Sequence, residues 1–205
     1  IMKKILYSVA LAACCMGTMT SCSDFLDASN KSNVTAKQSF ATKEGLNNLV
    51  NNAYQHLQNV YAAPLFTSCF SAGTDMYADA RNKMNEALNT YETLTPENTD
   101  IKNLYTYLYS GIRAANSVSY YAQTAQVDEK TKGQLVGEAR VLAAYEYYLL
   151  VNNFGGVPIM KDFLTTADTG YPKSSAADVY AYIISELEDV ISKNVLQAST
   201  ATKGG

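Results

Sequence analysis

Four stretches of this chain repeat apolar residues at three- and four-residue steps, a period that commits it to amphipathic helices packed face to face. After Thr42, a candidate N-cap, the series Leu46, Leu49, Val50, Ala53, Tyr54, Leu57 and Tyr61 marks one helix. A second opens after Asp100 and carries Ile101, Leu104, Tyr105, Leu108, Ile112, Ala115 and Ser119 along one stripe, running to about Ala125. The third opens near Asp128, and its stripe runs through Leu135, Val136, Ala139, Leu142, Ala143, Glu146, Leu149 and Leu150. Gly155-Gly156 ends that helix and Pro158 forbids an immediate restart. A fourth is announced by the capping-box pattern Ser175-Ala176-Ala177-Asp178, with Val179, Ile183, Leu187, Val190 and Ile191 as its expected buried stripe. The segments 62–99 and 155–174 lack this period and are richer in Asn, Thr, Asp and Gly. They read as long loops or short irregular elements, where function concentrates.

The expected fold is therefore all-α. Its helices come in consecutive pairs of about tetratricopeptide length, and each pair leaves an apolar face for a neighbouring pair to cover.

The N-terminus has a separate purpose. Lys3 and Lys4, an apolar run from Ile5 to Met19 and small residues before Cys22 make a secretory signal, too short to span a membrane. A cysteine at such a cleavage point suggests a bacterial lipoprotein, acylated on Cys22 and held on a bilayer by its lipid. Leu11-Ala12-Ala13-Cys14 has similar spacing, but cleavage there leaves only a short apolar stretch, so Cys22 is favoured. The expected organisation is a signal peptide over residues 1–21, a tether and extended segment over 22–41, and a helical domain over 42–205.

Loss of Lys3 and Lys4 lowers Lys and Arg from 16 to 14 against 19 Asp and Glu, a formal charge of −5. An acidic chain without grouped basic residues is a poor partner for nucleic acid. With Cys14 and Cys15 removed and Cys22 modified, Cys69 has no partner, so stability must come from a core rather than disulfides. The 16 Tyr with no Trp suit half-buried helix faces and sugar-binding surfaces alike.

Several blocks resemble one family. Cys22-Ser23-Asp24-Phe25-Leu26-Asp27, the pattern Tyr109-x-x-Ile112-x-x-Ala115-Asn116, and above all Gly137-Glu138-Ala139-Arg140 through Gly155-Gly156-Val157-Pro158 resemble the SusD/RagB outer-membrane lipoproteins. Lys173-Ser174 followed by Asp178-Val179-Tyr180, and later Thr202-Lys203-Gly204, resemble further blocks. The chain departs from the family pattern at Ala143 and Lys173, where Arg is usual or frequent, and at Tyr105, where Trp is common. Such proteins are typically more than twice as long. The chain thus reads as the N-terminal part of a SusD-like domain, truncated at its C-terminus, whose last helices leave apolar faces uncovered.

The resemblance implies a surface lipoprotein that binds oligosaccharides and hands them to a SusC-like TonB-dependent outer-membrane transporter, without catalysis, cofactor or metal. It places part of the ligand site in the loop Thr74 to Asn82. Asp75, Tyr77, Arg81 and Asn82 there supply the carboxylate, ring, guanidinium and amide that hold sugar hydroxyls. Tyr61, Tyr91 and Tyr171 border the same loops and offer alternative stacking surfaces.

Two other classes remain as alternatives: a helical-repeat scaffold and a glycoside hydrolase. Nucleophilic catalysis wants a His base, and the one histidine, His56, falls within the first helix as a surface or rim residue. Zinc is poorly served by one His and one remaining Cys. A glycosidase needs only two carboxylates, but Glu186, Glu188 and Asp189 cluster on a helix as a solvated face. Gly155-Gly156 lacks the context of a phosphate or dinucleotide loop.

Overall fold

The structure, a computed structural model, describes residues 36–77, 86–164 and 170–196. The unit Ile1–Thr35, which holds Cys14 and Cys22, lies outside the described residues, as do Arg81 and Asn82. The rest of the chain forms the second unit. Its elements in order are α1 (Ala36–Ser39), α2 (Lys43–Tyr61), α3 (Ala63–Phe66), a π-helical segment (Thr67–Ser71), α4 (Glu86–Thr90), α5 (Thr99–Ala122), α6 (Glu129–Phe154) and α7 (Ala176–Lys193). An isolated antiparallel bridge joins Thr74 and Tyr77. The described fold is all-α, and no described helix is long and apolar enough to cross a membrane.

Short polar side chains set where the helices begin. Thr42 Oγ1 accepts the Gly45 amide at 3.0 Å, and Asp128 Oδ1 accepts the Thr131 amide at 2.9 Å. That bond, from the amide of Thr131, holds the Asp128 carboxyl below its usual range. Ser175 and Asp178 exchange reciprocal bonds, completing the capping box at α7. The second long helix is capped by Asn98, whose Oδ1 accepts from the Asp100 and Ile101 amides at 3.0 and 3.2 Å. It starts at Thr99 with Asp100 inside its first turn and ends at Ala122, two residues earlier at the front and three at the back than its periodicity suggests. The segment 62–99, expected to be irregular, contains α3, the π-helical segment and α4.

Consecutive long helices are neighbours: α2 packs on α5, α5 on α6, and α6 on α7, while α6 also reaches α2. Because α6 is covered on three sides, apolar residues surround it, and Leu135, Ala139, Leu142, Ala144, Tyr147, Leu149 and Leu150 are all buried. Two apolar clusters result. One joins Leu46, Val50 and Ala53 to Ala115, Val118, Ala139 and Leu142. The other joins Val60 to Leu104, Leu108, Ile112, Tyr147, Leu150, Val179 and Ile183.

Three sequence expectations need correction. Ile191, read as part of the buried stripe of α7, is 75% exposed, and Ile184 and Tyr180 are exposed on the same helix. Tyr54 and Tyr61 stand at the exposed edge of α2, with the Tyr54 hydroxyl donating to Glu138 at 2.8 Å. Glu186 and Asp189 are not simply solvated: Arg140 Nε reaches Glu186 at 2.7 Å, and its Nη1 pairs with Asp189. Arg140 therefore links α6 to α7, and Lys193 adds a 2.6 Å contact to Asp189.

Many of the tyrosines lie half outside. Tyr145 and Tyr148 stack along α6 with ring centroids 6.2 Å apart, the Tyr61 and Tyr145 hydroxyls bond, and the Tyr180 hydroxyl donates to Asn152 at 3.1 Å.

Candidate functional site

The chain leaving α6 builds the floor of the first cleft. Gly155 adopts φ 68°, which a side chain disfavours, and turns the backbone out of the helix. Three polar side chains then secure residues 158–160. The Tyr109 hydroxyl donates to the Pro158 carbonyl at 2.7 Å, and Asn116 Nδ2 donates to the Met160 carbonyl at 2.8 Å. The Tyr147 hydroxyl accepts the Met160 amide at 2.7 Å and donates to its carbonyl at 3.3 Å. Burial pushes the Tyr109 and Tyr147 phenols far above the ordinary tyrosine range, so both remain neutral donors.

Tyr147 is wholly buried, and its hydroxyl is the partner of the Met160 amide. Tyr147→Phe should therefore lower stability by about 2 kcal/mol, the usual effect of orphaning a backbone N–H. Denaturant titration would read it, and an unchanged midpoint would remove Tyr147 as the anchor of this segment.

Above that floor lies a cleft of about 480 Å³, lined by Tyr105, Thr106, Tyr109, Ser110, Arg113, Pro158, Met160 and Tyr171. Tyr105 packs on Tyr109 at 4.7 Å and edge-on against Phe154 at 5.1 Å. The lining thus combines rings that carry polar tips with the hydroxyl and guanidinium groups of Thr106, Ser110 and Arg113.

A second cleft, of about 340 Å³, opens on the far side of Ser110 and Arg113. Asn52 and His56 of α2 line it, with Ser117 and Tyr121 of α5, Phe40 and Phe163. Tyr121 stands 4.8 Å from Phe40 and 5.8 Å from Phe163, and the Arg113 guanidinium lies 5.6 Å from the Phe163 ring centre. His56, expected at the surface or rim, has a buried Nδ1 without a hydrogen-bond partner among the described residues. Burial pushes its pKa down.

Of the loop residues singled out in the sequence, Asp75 and Tyr77 share the exposed turn closed by the Thr74–Tyr77 bridge. Neither lines the two clefts. Arg81 and Asn82 lie outside the described residues. Tyr171 does line the first cleft, and Tyr61 and Tyr91 do not. Sequence reasoning overlooked Ser110 and Arg113 of α5 and Asn52 of α2, which sit outside the apolar stripes of their helices. Cys69 is a free, half-buried thiol pushed up to about 12, chiefly by burial. Among the described residues, no group of three His, Cys, Asp or Glu is placed to hold a metal.

The described long helices pack in succession, with ring-lined clefts beside α5. The SusD-like family described as starch-binding and associating with the outer membrane matches residues 24–200, and the chain belongs to it. SusD-like protein P38 of Formosa agariphila is 28% identical over 190 residues, covering 90% of this chain and 36% of that protein. Among solved structures, surface glycan-binding protein A from Bacteroides uniformis is 26% identical with a TM-score of 0.66, over 79% of this chain and 37% of that one. A laminarin-binding SusD-like protein shares the fold with a TM-score of 0.63 at 20% identity, over 72% of this chain and 33% of that one. The chain spans about a third of the length of these relatives.

Proposed function

We propose that this protein is a surface lipoprotein that captures oligosaccharides and delivers them to a SusC-like TonB-dependent transporter, acting as a binding protein and not as an enzyme. In this reading residues 1–21 direct export and Cys22 carries the lipid, while the helical unit faces the medium. Family membership and the glycan-binding name of the Bacteroides uniformis neighbour support the carbohydrate class.

The observation that carries it is the Tyr105–Tyr109–Tyr171 cleft beside Arg113. Sugar rings present C–H faces to aromatic rings and hydroxyls to polar rims, and this cleft joins both within a volume usual for ligand sites. The loop residues Asp75, Tyr77, Arg81 and Asn82 are proposed to add further contacts.

Calorimetric titration of the processed chain against a panel of oligosaccharides tests the reading. Binding that Tyr105→Ala weakens about 5-fold, as expected for loss of one ring contact, would support it. Absence of binding across the panel would overturn it.

A further inference from the structure

Arg113 stands on the ridge between the two clefts and lines both, as does Ser110. Among the described residues lining either cleft it carries the one permanent charge, and no described Asp or Glu lines them. That is unusual in an acidic chain. The other bridging arginine, Arg140, has two carboxylate partners, whereas no described carboxylate pairs with Arg113. Its described partner is the Phe163 ring, and that contact leaves the forked N–H donors free of any anion.

The surrounding groups fit a sugar ring rather than a bare anion. The second cleft, about 340 Å³, is lined by the Phe163 and Tyr121 rings together with the Asn52 amide and His56. The arginine fork matches a planar carboxylate by two parallel hydrogen bonds.

We propose that the ligand held across this ridge is an acidic glycan, whose uronate carboxylate Arg113 receives while neighbouring rings lie against Tyr105 and Tyr109 on one side and Phe163 on the other. The proposal rests on the glycan-binding reading and names its substrate class.

The test uses uronic-acid oligosaccharides of gluco, galacto and manno configuration. Each is paired with the same oligosaccharide after its carboxylates are reduced to hydroxymethyl groups, and a sulfate-ester derivative of the neutral form is the third arm. At low ionic strength the processed chain should bind at least one uronide about tenfold or more tightly than its reduced partner, as a charge-assisted pair implies. Arg113→Gln, at an exposed position, should bring each pair within about twofold while its melting temperature stays that of the native chain.

Equal affinities within every pair would overturn the proposal and leave glycan binding standing. Preference for the sulfate ester over the uronide would overturn the carboxylate assignment. No binding in any arm would remove this proposal and the glycan reading together.

Discussion

Glu146→Gln should flatten the pH dependence of stability between pH 4.5 and about 9, and it should make the protein more stable than the native chain above neutrality. Glu146 is fully buried in α6, and neither carboxyl oxygen has a hydrogen-bond partner among the described residues. It faces Gly111 of α5 so closely that a Cβ there would lie 1.7 Å from Oε1. Burial alone pushes its pKa from 4.5 up to about 9. Below pH 4.5 the group is neutral in both folded and unfolded chains and opposes nothing. As pH rises, the unfolded chain releases this proton first, so stability is lost at about 1.4 kcal/mol per pH unit until the folded group also ionises.

The amide of Gln has the same shape and no charge to release. At about pH 8 the variant should therefore exceed the native chain by several kcal/mol, while the two converge at about pH 4. Chemical denaturation across that range is the measurement. Parallel curves for the two proteins would show that Glu146 reaches solvent or a partner when ionised.

Gly156→Ala should destabilise the chain by about 3 kcal/mol or more, because the obstacle is main chain rather than side chain. A Cβ on Gly156 would lie 2.2 Å from the Ser174 carbonyl oxygen and 3.3 Å from the Ala176 amide nitrogen. Ser174 is held by its own amide, which donates to the Val157 carbonyl at 3.2 Å, and Ser175 is committed to capping α7. Relief therefore requires the segment after α6 to separate from the start of α7, and that movement would disturb the cleft floor at Pro158 and Met160. Gly133→Ala is the control. Its Cβ meets a Val195 methyl at 3.2 Å, and the helix propensity gained, about 1 kcal/mol, should leave the variant near neutral. Thermal unfolding that ranks the two variants the other way would show that 155–175 has room to adjust.

The long helices were readable because period and caps act locally. Thr42, Asp128 and Ser175 bond their own first turns, and Leu46, Leu108 and Ile183 repeat at the helical step whatever lies across from them. Asn98 was missed because Asp100 is an equally good cap by type, and only the backbone geometry shows whose oxygen meets the free amides. Ile191 looks as buried as Val190 in sequence, yet burial depends on whether another element covers that side of α7.

The site was harder to read for the same reason. Its expected residues came from one composition-rich loop, whereas the clefts draw on α2, α5, Phe163 and Tyr171, positions more than a hundred residues apart. Glu146 shows the limit most clearly. Its period puts it on the buried stripe of α6, but its isolation depends on Gly111 of another helix.

The order of packing also bears on how the chain acquires its structure. Each long helix lies against the one that precedes it, so the principal contacts close between neighbouring segments instead of joining the two ends. Topologies of this kind have low contact order, and their folding is correspondingly fast. A helix completed during synthesis finds its docking surface already made: α5 meets α2, α6 meets the α2–α5 pair, and Arg140 on α6 is in place before Glu186 and Asp189 arrive. Assembly can thus proceed in the direction of translation, with α7 the last of the described helices to dock.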